Sequence, residues 1–268
     1  MTTHIEKIFR AQIQDEICSR LLSLDENGIP SNADKTKESS IAIAQLILLR
    51  MDYYERTFRR SDQVKSFSFE QIIFNATEQF LGGNFGKNQH FWLLKSLVDS
   101  DLPKNLRPLS RVKEIISEYE NQSTAQANLL LPDILIFKIK DHLSHIIDFD
   151  NCSTIDFNDF ILNASISCIW TLQPTHEQTS YSEVITTIRN RKGHLPHIVA
   201  VTAEPLPTRI ASLALGTGDL DCVYHFALDE LVEATREVDN EGQMDMLQIL
   251  IEGRRLRDIS DLPFDLIM

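Results

Sequence analysis

Ser165-Ile166-Ser167-Cys168-Ile169-Trp170-Thr171 decides the architecture of this chain. Apolar residues dominate the stretch, as they do in a central strand covered on both faces of a sheet. Three more short runs rich in β-branched residues, Ile134 to Phe137, His197 to Thr202 and Asp221 to Phe226, surround it in sequence. Helical stretches around 178–192 and 227–252 separate them, and strands alternating with helices predict an α/β core with a mixed sheet flanked by helices over 131–268. The polar residues at the ends of these runs, Asp133, Cys168 and Glu204, mark where a site can open.

Upstream the pattern is mainly helical. Ile5, Phe9, Ile13, Ile17 and Leu21 recur at helical spacing and predict an amphipathic helix that ends before the breakers Asn27-Gly28-Ile29-Pro30. A second helix follows the polar stretch Ser31 to Ser40 and is expected to run to about Phe58. Ser68-Phe69-Glu70-Gln71 opens a third, which places Glu70 in a first turn and ends at Leu81-Gly82-Gly83. Further helices are expected at Gln89 to Val98 and Leu109 to Tyr119. The reading is a single domain, 1–268, with a mainly helical part at 1–130.

Composition narrows the function. The 43% hydrophobic share suits a soluble core, and the longest apolar stretch, Ile41 to Leu49, is too short to span a membrane and reads as a buried helix. Four scattered cysteines without a CxxC pair argue against zinc, and with no secretory signal they point to a reducing cytoplasm. A net charge of -13 argues against a protein that coats nucleic acid nonspecifically, but not against a local DNA-binding cleft. Positive charge gathers at Arg56, Arg59 and Arg60, at Arg189-Asn190-Arg191-Lys192, and at Arg254-Arg255-Leu256-Arg257. Each cluster alone also fits a solvated helix end.

Several motifs carry little. Asp148 to Asp159 has calcium-loop spacing but Ser153 where the turn glycine belongs, so it reads as an acidic surface loop. His142 and His145 lack a third ligand. Gly82-Gly83-Asn84-Phe85-Gly86-Lys87 has the wrong glycine spacing for a phosphate loop. Asp133 at the start of a buried strand needs a cation, a donor or solvent, and Glu70 and Glu183 on helices are positioned in sequence to join it at one sheet edge. Solvated helix glutamates are the plain alternative.

Ala164 to Thr171, Arg189 to Val199, Val201-Thr202-Ala203-Glu204-Pro205, Leu215-Gly216-Thr217-Gly218, Asp221 to Leu228 and Arg257 to Pro263 together closely resemble the NgoMIV-type restriction endonucleases of the PD-(D/E)XK superfamily. The likeness is nearly continuous from Ala164 to Met268. Before that it survives at Ser31-Asn32-Ala33-Asp34, Gln63, Phe69-Glu70 and Pro132-Asp133. It implies a restriction-endonuclease-like fold and a type II enzyme of a restriction-modification system that recognises a palindrome with a CCGG core in double-stranded DNA. It also implies Mg²⁺-dependent hydrolysis of both strands by a homo-oligomer, a dimer or a tetramer of two dimers. By resemblance Asp133 and the carbonyl of Cys168 hold metal, Glu70 and Glu183 support it, position 169 carries the catalytic lysine, and Asp34, Gln63 and Arg209 read the outer base pairs.

Two departures stand out. Isoleucine occupies position 169, and it cannot carry charge, donate a proton or orient water. In Leu172-Gln173-Pro174-Thr175-His176, where the family presents arginine, aspartate and arginine to the inner bases, this chain offers Gln173, Thr175 and His176. Glutamine suits adenine and threonine a thymine methyl, so the inner code is altered. Two readings follow: an endonuclease whose ammonium comes from Lys138, Lys140, Lys192 or His176, or a catalytically silent DNA-binding or assembly protein derived from such an enzyme.

Overall fold

The computed structural model of the chain describes residues 4–53, 68–85, 92–96, 133–139, 160–172, 196–215, 220–238 and 240–266. Among them a six-stranded mixed sheet runs in chain order: β1 (Trp92–Ser96), β2 (Ile134–Ile139), β3 (Phe160–Ile169), β4 (His197–Thr202), β5 (Cys222–His225) and β6 (Leu256–Asp258). The first three pair antiparallel, and β3 to β6 pair parallel. The expected α/β core with a mixed sheet is therefore present. Every residue of β5 is buried, as are all but the first of β4, which is what continuous apolar runs require of central parallel strands.

Helices flank this sheet. Helix α1 (His4–Glu16) continues into a π turn (Ile17–Leu21), followed by α2 (Glu38–Arg50) and α3 (Phe69–Phe85). After β4 comes α4 (Pro207–Leu215); after β5 come α5 (Leu228–Glu237) and α6 (Glu241–Glu252); after β6 a 3-10 turn (Ile259–Asp261) leads into α7 (Leu262–Asp265). One apolar cluster extends from Phe9 of α1 through β2 to β5 and on to Leu266. Phe9 and Ile13 point into it, and Phe80 of α3 packs edge-on against both Phe9 and Phe264. Arg10 reaches Asp229 at 2.7 Å and Glu230 at 2.5 Å, and Arg50 reaches Glu233 at 2.8 Å, so two ion-pair sets join α1 and α2 to α5.

Several boundaries differ from expectation. Trp92–Ser96 is a strand, because its backbone groups pair with β2 from Trp92↔Lys138 to Ser96↔Ile134, and that pairing overrides the helical appearance of Leu93, Leu94 and Lys95. Helix α2 ends at Arg50 rather than near Phe58, since Asp52 takes a left-handed φ of 59° and its N–H and that of Tyr53 return to Leu49 and Leu48. The strand read at Ser165 to Thr171 starts earlier, at Phe160, and stops at Ile169. The helical stretch 227–252 is two helices, with Asn240 capping the second through the Gln243 N–H. The turn at Asn27 to Pro30 is as expected: Gly28 has φ 73°, and Asp25 Oδ1 accepts from both Asn27 and Ile29.

Candidate metal and nucleic-acid site

The sheet opens where β2 begins and β3 ends. The Asp133 N–H donates to the Ile166 carbonyl at 2.9 Å, and the Asp133 carboxylate accepts the Cys168 N–H at 2.6 Å. In an antiparallel ladder a residue's N–H and C=O point to the same neighbour. The Cys168 carbonyl is thereby directed to the edge that bears Asp133, one position past the last β2–β3 register pair, Ile134↔Ile166. Glu70, in the first turn of α3, is close enough to act on Asp133 electrostatically. Burial pushes the Asp133 carboxyl up to about 7, Glu70 adds repulsion, and the Cys168 N–H only partly offsets them. The Cys168 thiol is held well above its ordinary value by burial and by the same two acids, which makes it a poor nucleophile.

Carboxylate and main-chain carbonyl oxygens are the donors that hard divalent cations take, although among the described residues no three His, Cys, Asp or Glu side chains gather as a metal cluster. Asp133, Cys168 and Glu70 are thus brought together. Glu183 lies outside the described residues.

Position 169 is different. Ile169 pairs with Thr202 on β4, is 5% exposed and belongs to the apolar core. Lys138 cannot replace the missing ammonium: it lies five residues along β2 from Asp133, about 17 Å at the rise of an extended strand. Lys140, Lys192 and His176 lie outside the described residues. Lys95 of β1 pairs with Leu135, two residues from Asp133.

A second cluster lies beyond the ends of β3 and β4. Thr36 donates to Asp34 Oδ1 through both its N–H (2.9 Å) and its hydroxyl (2.7 Å), and the Arg209 guanidinium, from the first turn of α4, donates to Asp34 Oδ2. These bonds hold the Asp34 carboxyl down to about 2. Gln63, Gln173, Thr175 and His176, the other residues expected to face DNA, lie outside the described residues.

The sequence reading saw Glu204 only as a polar strand end. Its side chain is 1% exposed, accepts the Leu172 N–H at 2.7 Å and the Leu206 N–H at 3.1 Å, and lies 3.9 Å from Arg209 Nη1. Burial raises it to about 6 against the pull of these donors. Asn32, also buried, donates through Nδ2 to the Ala203 carbonyl at 2.8 Å. The sequence signal was a carboxylate between Ala203 and Pro205 just after the apolar run Ile198–Val201, which has to find donors.

The family model described as NgoMIV restriction enzyme matches residues 10–268. The type II restriction enzyme NgoMIV of Neisseria gonorrhoeae is 34% identical over 290 residues, which cover 98% of each chain. A solved restriction endonuclease PspGI–substrate DNA complex is similar at 14% identity over 99% of this chain and 91% of that one, with a TM-score of 0.25. With a family model and a relative that each match nearly end to end, this chain belongs to the NgoMIV restriction enzyme family.

Proposed function

We propose that this chain binds a palindromic site in double-stranded DNA as a homo-oligomer, dimer or tetramer, reads a C·G pair at each outer position, and holds Mg²⁺ at its acidic sheet edge. The observation that carries this is the Asp34–Arg209 pair. A guanidinium supplies two donors for guanine O6 and N7, and a carboxylate accepts from cytosine N4, so one arginine beside one aspartate is complementary to a whole C·G pair in the major groove. Two-fold symmetry of a homodimer makes the site a palindrome. The altered residues Gln173, Thr175 and His176 make its centre other than the CCGG of the family.

Asp133, Glu70, Glu183 and the Cys168 carbonyl would hold the cation. When bound, Mg²⁺ supplies a Lewis acid that polarises the scissile phosphate. Asp133 and Glu70 place negative charge there, and position 169 supplies no ammonium to balance it. Burial of Ile169 in the core favours a second reading, a catalytically silent DNA-binding protein. The register of Lys95 favours cleavage, because that lysine is attached close to Asp133 along the sheet.

One assay separates the two. Purified protein with Mg²⁺ is incubated with a large mixed-sequence DNA beside Asp133→Ala, Ile169→Lys and Lys95→Met. Discrete fragments from the native protein, lost in Asp133→Ala, establish an endonuclease, and the sequenced ends give its target. Intact DNA with native protein and fragments with Ile169→Lys establish the silent reading. Cleavage that persists in Asp133→Ala rules out this metal site.

A further inference from the structure

The two base-reading elements are not independent of one another in this fold. Leu172 lies just past the end of β3 and directly precedes Gln173 in sequence, and Arg209 stands on α4. Between them lies one buried carboxylate. Glu204 receives the N–H of Leu172, the residue directly before Gln173, at 2.7 Å, and faces Arg209 Nη1 at 3.9 Å. The Leu206 N–H at 3.1 Å engages its other oxygen, and Glu204's own N–H donates to Thr202 Oγ1 at 3.1 Å, so the side chain has little freedom to turn. Asn32 Nδ2 fastens the Asp34 loop to the carbonyl of Ala203, immediately before Glu204.

We propose that Glu204 is a positioning residue for sequence specificity, one carboxylate that sets both where the inner reading segment begins and how the Arg209 guanidinium is presented. It touches no base itself. At 1% exposure it is shielded from solvent, and a buried carboxylate bonded to two backbone donors is costly to move, which suits it to transmit a fixed geometry. Displacement of Leu172 on binding a wrong inner base pair pulls on the same group that orients Arg209. Discrimination at inner and outer base pairs is therefore coupled rather than additive. This inference rests on the DNA-reading role proposed above for Asp34 and Arg209.

The test is selection from a randomised duplex library by the full-length native protein, Glu204→Gln and Arg209→Met, with Ca²⁺ as the divalent cation and the melting temperature of each variant recorded. Glutamine keeps the shape and one acceptor but loses the charge facing Arg209 and one N–H acceptor. The expected result is that Glu204→Gln loses about fivefold or more of its preference at the inner and outer positions together, within the scale of a lost bidentate contact. Arg209→Met is expected to alter the inner preference as well as the outer one. Weaker binding to every sequence with the native preferences retained would mean that Glu204 only stabilises the loop, and would overturn the inference. If Glu204→Gln does not fold, the Arg209→Met arm decides alone: a change confined to the outer pairs overturns the coupling. Enrichment of no motif by the native protein overturns the DNA-reading role itself and this inference with it.

Discussion

Arg209 and Asp34 show how much a single side chain carries. The guanidinium is partly buried, bonded to Asp34 and within ion-pair distance of Glu204, so its plane is set before any base arrives. Lysine at that position would keep the charge but present a point donor in place of two parallel ones. Arg209→Lys is expected to lose about 1–3 kcal/mol of discrimination at the outer pair while still binding DNA. Competition between duplexes that differ only at that pair measures it, and unchanged preference would mean that Arg209 does not read a base. The candidates Asp34 and Arg209 were named from the sequence, and the structure pairs them; the isoleucine at 169 was equally plain. The contacts of Glu204 were not, because residues 32, 172, 204 and 209 are far apart in sequence and meet only beyond the ends of the paired parallel strands β3 and β4.

Elements were legible where burial alone determines them and obscure where pairing does. The apolar runs of β4 and β5 and the buried face of α2 could be read directly, since a strand covered on both faces admits few polar residues. β1 could not, because a short leucine-rich segment fits a helix until a partner strand claims its backbone. β5 also carries a pH response. His225, at its end, is fully buried, accepts the Ala227 N–H at Nδ1, and is lowered to about 4 by burial. Between pH 6.5 and 4 the unfolded chain binds the proton that the folded chain refuses, so stability is full above about 6.5 and falls as pH drops. Glu204 acts in the opposite sense: raised to about 6, it takes up a proton in the folded state first and adds stability as pH falls from 6 toward 4.5. His225→Asn keeps an acceptor for Ala227 and removes the titration. Relative to this variant, the native protein is expected to lose about 2 kcal/mol between pH 6.5 and 5. Denaturant titrations across that range check it, and parallel pH profiles would show that His225 is not the group responsible.

On the DNA-binding role proposed above, a molecule with a net charge of -13 brings DNA onto a face where Asp133 and Glu70 already repel one another. Without a cation, burial that raises Asp133 to about 7 leaves it partly protonated near neutral pH, and only above that pH does phosphate approaching the proposed edge meet two full carboxylates. A hard divalent ion held at that edge, as proposed above, would remove that barrier by compensating the charge on its oxygen donors. DNA affinity of the whole protein is therefore expected to rise about tenfold or more when Ca²⁺ replaces EDTA, an effect on the order of 1–2 kcal/mol for one screened charge contact. Asp133→Asn separates this effect from general screening by salt. It keeps an acceptor for the Cys168 N–H but deletes the charge, so it is expected to bind more tightly than native in EDTA and to gain little from Ca²⁺. Fluorescence anisotropy at fixed ionic strength measures all four affinities. Equal stimulation of both proteins by Ca²⁺ would place the cation elsewhere, and no stimulation of either would mean that DNA docks without approaching this edge.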